Sequence, residues 1–115
     1  MYEEVKQFTE QDWKLFRKKI IVWQENYMDN LNKEYIAILS RDNNPSDNFW
    51  ELEKRIRKDK NRIGVTIDMR RSVMIMNILT LLNDRVITMD DLNDFSDLLK
   101  ETIKIYKDPA SFYKR

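Results

Sequence analysis

Apolar residues recur every three or four positions through the first forty residues, which is the spacing of one face of an α-helix. The pattern starts just after Thr9, whose hydroxyl can cap a first turn, and neither glycine nor proline interrupts it before Ser40. The residues on this face are Trp13, Phe16, Ile20, Trp23, Tyr27, Leu31 and Ile38. The pattern therefore predicts one amphipathic helix over residues 10–40, about 45 Å long at ~1.5 Å per residue.

Two further helices are predicted between residues 46 and 83. A polar segment that includes Pro45 precedes a second helix over residues 46–61, and Gly64 is expected to end that helix by adopting a positive φ. A third helix over residues 67–83 is apolar around most of its circumference, which is typical of the most buried helix in a domain. The predicted apolar stripe of the second helix consists of Phe49, Leu52, Glu53, Ile56 and, just beyond the helix, Ile63.

Thr88 precedes a fourth predicted helix, over residues 89–107, which Pro109 ends. Val86 and Ile87, just before it, are expected to fold back into the core. The apolar positions of the fourth helix are Leu92, Phe95, Leu98, Leu99, Ile103 and Tyr106. The four helices predict an all-α fold, a four-helix bundle in which the long first helix packs against the apolar third, and the second and fourth complete the bundle.

The composition excludes the commonest kinds of catalytic site. The chain has 115 residues, enough for one domain with its own core, and we assign residues 1–115 to that domain. It contains no histidine, no cysteine and one glycine. Histidine and cysteine supply most proton shuttles, nucleophiles and soft-metal ligands, and phosphate-binding loops need several glycines. The sequence therefore predicts a protein that is not an enzyme, with no catalytic residue, no cofactor and no metal site.

The same composition bears on location. A chain without cysteine fits a reducing compartment. The first twenty residues mix charged and apolar side chains without a continuous apolar stretch, so no signal peptide is expected. The longest apolar stretch, residues 73–82, is about half of the ~20 residues that cross a bilayer. We therefore expect a cytoplasmic protein that does not enter a membrane.

Residues 83–92 resemble the second half of a calcium-binding loop, because Asp91 stands where such loops have their bidentate acid. The match fails at the other key positions. Thr80 and Leu82 stand where ligands are required, and Arg85 replaces the glycine of the sharp turn. A loop that caps the next helix is the better interpretation, since acids are favoured in a helix first turn.

The aromatic content points towards a protein partner. Three tryptophans and five tyrosines exceed what one small core requires, and both residue types are favoured at protein interfaces. Five side chains of the long helix lie partly off its main apolar face and are candidates for a second, partner-binding face: Leu15, Ile21, Met28, Tyr35 and Ile36. The simpler alternative is that a central helix contacts neighbours on two sides. Together with the tail residues Phe112 and Tyr113, this face predicts a protein-binding or regulatory module that self-associates.

A cluster of basic residues supports a second hypothesis. The net charge is only +1, so the whole molecule has no general attraction for nucleic acid or membranes. Eight cations nevertheless cluster within residues 54–71: Lys54, Arg55, Arg57, Lys58, Lys60, Arg62, Arg70 and Arg71. If the turn at Gly64 brings them together, they would form a phosphate-binding surface for a nucleic acid. The alternative is an ordinary solvated face whose cations pair with nearby acids.

Three segments resemble a family of small bacterial proteins without characterised function, and the resemblance covers nearly the whole chain. They are residues 12–19, 49–56 and 86–96, with the sequences DWKLFRKK, FWELEKRI and VITMDDLNDFS. Some members carry the automatic label "multidrug transporter", which does not suit a chain that lacks a segment able to cross a bilayer. The resemblance implies no active site, and it places a glycine where this chain has Arg85.

Overall fold

A computed structural model describes residues 6–110 of the chain. Its α-helices are α1 (Glu10–Leu39), α2 (Pro45–Asp59), α3 (Met74–Asn83) and α4 (Asp97–Lys107). Short 3-10 helices cover Arg71–Val73 before α3 and Met89–Leu92 between α3 and α4. Residues 6–110 contain no strand, so the predicted all-α fold with a long N-terminal helix is confirmed. The predicted contacts of Phe112 and Tyr113 lie outside the described residues.

Thr9 caps α1 as its sequence predicts. The Thr9 hydroxyl accepts a hydrogen bond from the Asp12 backbone N–H at 3.1 Å, and the Asp12 carboxylate accepts one from the Thr9 N–H at 2.9 Å. This reciprocal pair is a capping box, which satisfies two backbone donors at the helix start. The start of α1 is therefore fixed by local hydrogen bonds.

The hydrophobic core lies at one end of α1. Its buried members are Phe16, Ile20 and Trp23 of α1, four residues of α3 and five residues from the segment that follows: Met74, Ile75, Ile78, Leu81, Ile87, Leu92, Phe95, Leu99 and Ile103. The predictions that α3 is strongly buried and that Ile87 returns to the core are confirmed. No described residue between Trp23 and Ile63 belongs to this core.

The second half of α1, residues 24–39, and α2 form a two-helix extension beyond the core, called here the distal hairpin. The described chain is accordingly elongated, with principal extents of 64, 30 and 27 Å. Leu31 and Ile38 are the buried apolar residues of the distal hairpin. The second helix thus packs mainly against α1 at this end of the molecule, and none of its residues belongs to the main core.

Two predicted helix boundaries are wrong. The third helix does not begin at residue 67, because residues 66–70 are non-helical and the Asp68 carbonyl accepts a hydrogen bond from the Asn77 side chain at 2.8 Å. This contact holds the segment beside α3, where Ile67 and Met69 pack against the core. The fourth helix is not continuous from residue 89, because Ser96 takes an extended conformation and caps a new helix.

Gly64 does not adopt the predicted positive φ. The positive φ of the described chain belongs to Arg85, at 60°, in the turn that ends α3. Gly64 is needed for a different reason: a Cβ atom there would lie 2.3 Å from Cδ1 of Tyr27. Close packing against α1 therefore selects glycine at position 64, and Arg85 occupies the left-handed turn in which the family resemblance expects glycine.

Candidate protein-binding surface

The side of α2 that packs on α1 carries polar residues at its fully buried positions. The two buried residues of α2 are Asn48 and Asp59. The Asn48 side-chain amide donates to the Arg41 carbonyl at 3.0 Å, and the Asp59 carboxylate accepts from the Tyr35 hydroxyl at 2.7 Å. Asn48 and Asp59 are eleven residues apart, which is close to three full helical turns, so the two side chains share one side of α2. The helix therefore uses its polar side to pack on α1.

The apolar side of α2 faces solvent. Phe49 is 58% exposed, Trp50 63% and Ile56 44%. The rings of Phe49 and Trp50 meet edge to face with their centroids 4.9 Å apart. Phe49 and Ile56, two of the apolar positions predicted for the second helix, therefore do not pack against α1, because the side of α2 that meets α1 is the one with hydrogen-bonding partners there. An amphipathic helix with an outward apolar side is the feature that marks this part of the molecule.

A shallow groove of about 320 Å³ runs along the outward side of α2. We call it the α2 groove. It is lined by Phe49, Leu52, Glu53, Ile56, Arg57 and Lys60. Apolar side chains form its floor, with the acid nearer the start of the helix and the two bases nearer its end. Glu53 and Arg57 form an ion pair one turn apart within the helix. The groove thus combines apolar area with a defined order of charges.

Asp59 fixes the orientation of α2. Besides the Tyr35 hydroxyl, its carboxylate lies 3.5 Å from the Arg55 guanidinium and 4.0 Å from that of Arg62. Burial, together with the hydrogen bond to Asp59 and the negative charge of that carboxylate, raises the pKa of Tyr35 to about 12. Tyr35 therefore stays protonated as a donor to Asp59 at neutral pH. This network holds the polar side of α2 on α1, and the groove is turned outward as a result.

The five residues of the predicted α1 face take different positions. Ile21 and Ile36 are exposed, at 64% and 63%, and Met28 is half-buried. Leu15 packs against the core, whereas Tyr35 belongs to the contact with α2. The structure thus uses Leu15 and Tyr35 inside the fold and leaves Ile21 and Ile36 to solvent.

The predicted basic patch is largely paired. Each of its five arginines forms an ion pair: Arg55 with Glu34 and Asp59, Arg57 with Glu53, Arg62 with Asp59 and Asp84, Arg70 with Asp68, and Arg71 with Glu10. Within the part of the chain that the structure describes, Lys54, Lys58 and Lys60 have no carboxylate within 4.0 Å. These lysines are the cations that remain available for a ligand.

The patch is also divided in space. Arg55 pairs with Glu34 and Arg71 pairs with Glu10, and these two acids lie on the same helix. Twenty-four residues of helix correspond to roughly 36 Å along α1. The structure therefore separates Arg71 from the cations of α2, because residues 66–70 run along the molecule instead of folding back at Gly64.

The exposed aromatic pair is the feature that the sequence pattern did not reveal. Trp50 lies off the apolar stripe of α2, so periodicity alone gave it no role. A signal was present nonetheless: Asn48, Arg55 and Asp59 repeat at helical spacing next to the apolar stripe. With an apolar and a polar stripe on the same helix, the sequence does not determine which stripe faces α1. The hydrogen-bonding partners that the rest of the structure offers determine the orientation.

Comparison with known proteins gives no match to a protein-family model, a curated protein or a solved structure. No helix among residues 6–110 is long and apolar enough to span a membrane. Within the same range, no three carboxylates are grouped so that they could hold a metal ion. The outward side of α2 is accordingly the strongest candidate site of the described chain.

Proposed function

We propose that this chain is a non-enzymatic protein-binding module that self-associates through the α2 groove and the Phe49–Trp50 pair beside it. The observation that carries the proposal is the orientation of α2, which packs its polar side on α1 and presents its apolar side to solvent. Contiguous exposed apolar surface is characteristic of protein interaction sites, and aromatic residues are enriched at their centres. Asp59 and Asn48 hold this surface outward without covering it.

The exposed area indicates a weak association. At their observed exposures, Phe49 and Trp50 present roughly 250 Å² per chain. Burying that area on two chains would gain on the order of 10 kcal/mol, which is similar to the cost of immobilising two molecules. We therefore expect a weak self-association that is detected only at high protein concentration.

Sedimentation velocity on a concentration series tests this proposal. The wild-type chain is expected to form dimers, and Ile56→Asp is expected to weaken them at least tenfold by placing a charge in the groove. Ile21→Asp is the matched control, because Ile21 is a similarly exposed isoleucine on α1. It should dimerise like the wild type, and high salt should leave the dimer intact. A wild-type chain that remains monomeric at about 1 mM would refute self-association.

A second candidate function is binding of single-stranded nucleic acid. It is favoured by one observation, namely that Lys54 and Lys58, which lie on α2 with the exposed aromatic pair, and Lys60, which directly follows the helix, have no carboxylate partners among the described residues. Cations and exposed rings together can bind a phosphate backbone and its bases. The ratio of absorbance at 260 and 280 nm during the same runs tests this function. Nucleic acid that co-sediments at low salt and dissociates at high salt would favour it over self-association.

A further inference from the structure

We propose that the occupant of the α2 groove is the α2 helix of a second copy, docked antiparallel, with a two-fold axis passing between Glu53 and Ile56. This inference rests on the proposed function and specifies its partner and geometry. In a two-fold interface the same surface serves both chains, so a contact from residue i to residue j is repeated from j to i. The groove must therefore be complementary to itself after rotation.

The order of residues along α2 meets this requirement. An axis between Glu53 and Ile56 places Phe49 at the same height along the helix axis as Lys60 of the second copy. It also places Leu52 within one residue of the height of Ile56 of the second copy. Both apolar contacts occur twice. The ammonium of Lys60 can then lie over the Phe49 ring, an arrangement that is attractive because the ring face is negative. The floor of one groove thereby covers the floor of the other.

The charges select the antiparallel direction. With the same axis, Glu53 lies within one residue of the level of Arg57 of the second copy, on the same edge of the groove. The two-fold axis of a parallel pair would place the edge with Glu53 and Arg57 on opposite sides of the contact in the two copies, so no acid would meet a base. The antiparallel pair brings acid to base twice, which favours that direction. Arg57 already bonds Glu53 within its own helix, and its remaining donors can reach the second copy.

The length of the groove is consistent with its being covered by the α2 helix of a second copy. The lining residues span positions 49–60, about three helical turns, and α2 with its 15 residues is long enough to cover them. The contact is small for a specific interface, which agrees with a weak, concentration-dependent dimer. No carboxylate-rich or strongly basic partner is indicated, because the groove contains both signs of charge.

Disulfide formation between single-cysteine variants tests the geometry, because the natural chain has no cysteine to interfere. In the proposed dimer the two copies of position 56 lie ~4.5 Å apart along the helix axis, and the two copies of position 60 lie ~16 Å apart. A disulfide requires Cα atoms within about 7 Å. We therefore expect Ile56→Cys to form covalent dimers at least tenfold faster than Lys60→Cys under mild oxidation.

A mixture provides the second measurement. Phe49→Cys and Lys60→Cys chains should form the mixed disulfide faster than either forms a disulfide with itself, because positions 49 and 60 are level only in the antiparallel pair. Ile21→Cys, exposed on α1, is the control and should stay uncoupled at the same concentration. Rapid self-coupling of Lys60→Cys, or of Ile21→Cys, would overturn the geometry and leave self-association standing. A monomeric wild-type chain in the sedimentation experiment would instead remove the proposed function itself.

Discussion

Gly64 and Tyr27 meet where the chain leaves α2 and returns to α1. The ring of Tyr27 occupies the space in which any other residue would place its Cβ atom, and the nearest ring carbon is 2.3 Å from that position. Gln24, one turn earlier on α1, donates a side-chain hydrogen bond to the Ile63 carbonyl at 3.1 Å. Backbone and ring are thus held in contact from both sides, so a larger residue at position 64 must displace the ring.

We expect Gly64→Ala to lower the free energy of unfolding by about 1–3 kcal/mol, because overpacking forces the ring or the backbone to move. Urea denaturation followed by circular dichroism measures the change. In a Tyr27→Ala background the added methyl group has room, so the cost of Gly64→Ala should largely disappear. Equal costs in the two backgrounds would show that the ring contact is not the cause.

Arg85 occupies the left-handed region, with φ at 60°. This conformation costs an L-residue with a side chain roughly 1 kcal/mol. Arg85→Gly should therefore raise the unfolding free energy by about 0.5–1 kcal/mol, although glycine loses more backbone entropy on folding. Arg85→Ala is the control, because it removes the side chain and retains the strain. If Arg85→Ala stabilises the protein as much as Arg85→Gly, the charge of the arginine and not its φ is responsible.

Among the helices, α1 was the most predictable, because its cap, its uninterrupted length and its apolar spacing all indicate the same element. The limits of α2 were also close, since Pro45 and the polar segment before it mark the start. The orientation of α2 could not be predicted. Asn48 and Asp59 are buried because the Arg41 carbonyl in the turn after α1 and the Tyr35 hydroxyl on α1 are available to them, and these partners are defined only once both helices are placed.

The start of α4 illustrates the same limit. Ser96 lies within an apolar repeat that predicts a continuous helix, yet it caps a new one. Its backbone N–H and its hydroxyl both donate to the Asp12 carboxylate, at 2.8 and 2.6 Å. Asp12 therefore serves the starts of α1 and α4 together, and its partner is 84 residues away in sequence. No local pattern contains that information.

Asp12→Asn should lower the unfolding free energy by about 3 kcal/mol at pH 7, because an amide cannot accept from Thr9 and from both donors of Ser96. Asp97→Asn, an exposed acid in the first turn of α4, is the control and should cost under about 1 kcal/mol. Chemical denaturation of the three chains gives the comparison. A loss as large for Asp97→Asn would mean that the helix dipole, and not the shared carboxylate, dominates.

The same carboxylate gives a pH dependence of known sign. Burial raises the pKa of Asp12, but the hydrogen bonds from Ser96 and Thr9 outweigh it, and the pKa lies below its ordinary value of 3.8. As the pH falls, Asp12 is therefore protonated in the unfolded chain before it is protonated in the folded chain. The stabilisation by Asp12 is fully present above the pKa that it has in the unfolded chain, and it is lost as the pH falls through the pKa that it has in the folded chain. The difference between the wild type and Asp12→Asn should shrink as the pH falls below about 4.

At the scale of the whole molecule, the charges of the α2 groove permit a test by exchange. Glu53→Arg and Arg57→Glu each create like charges within one chain and between two identical chains, so each variant alone should dimerise more weakly than the wild type. Mixed in equal amounts, they bring opposite charges together across an antiparallel contact and should form heterodimers at least tenfold more strongly than either variant with itself. Fluorescence anisotropy of one labelled variant titrated with the other measures this. A mixture no stronger than its components would exclude the Glu53–Arg57 contact.

The elongated shape of the molecule divides α1 between two environments, and this has a consequence for hydrogen exchange. The amides around Phe16, Ile20 and Trp23 are sealed by the main core and should exchange only when the whole chain unfolds. The amides of residues 24–39 are supported mainly by α2, and an unsupported helix of that length is marginal in water. They should exchange with a smaller protection factor, through detachment of α2, and a second copy on the α2 groove should raise their protection as concentration increases. A single unbroken helix would then report global stability in its first half and partner occupancy in its second.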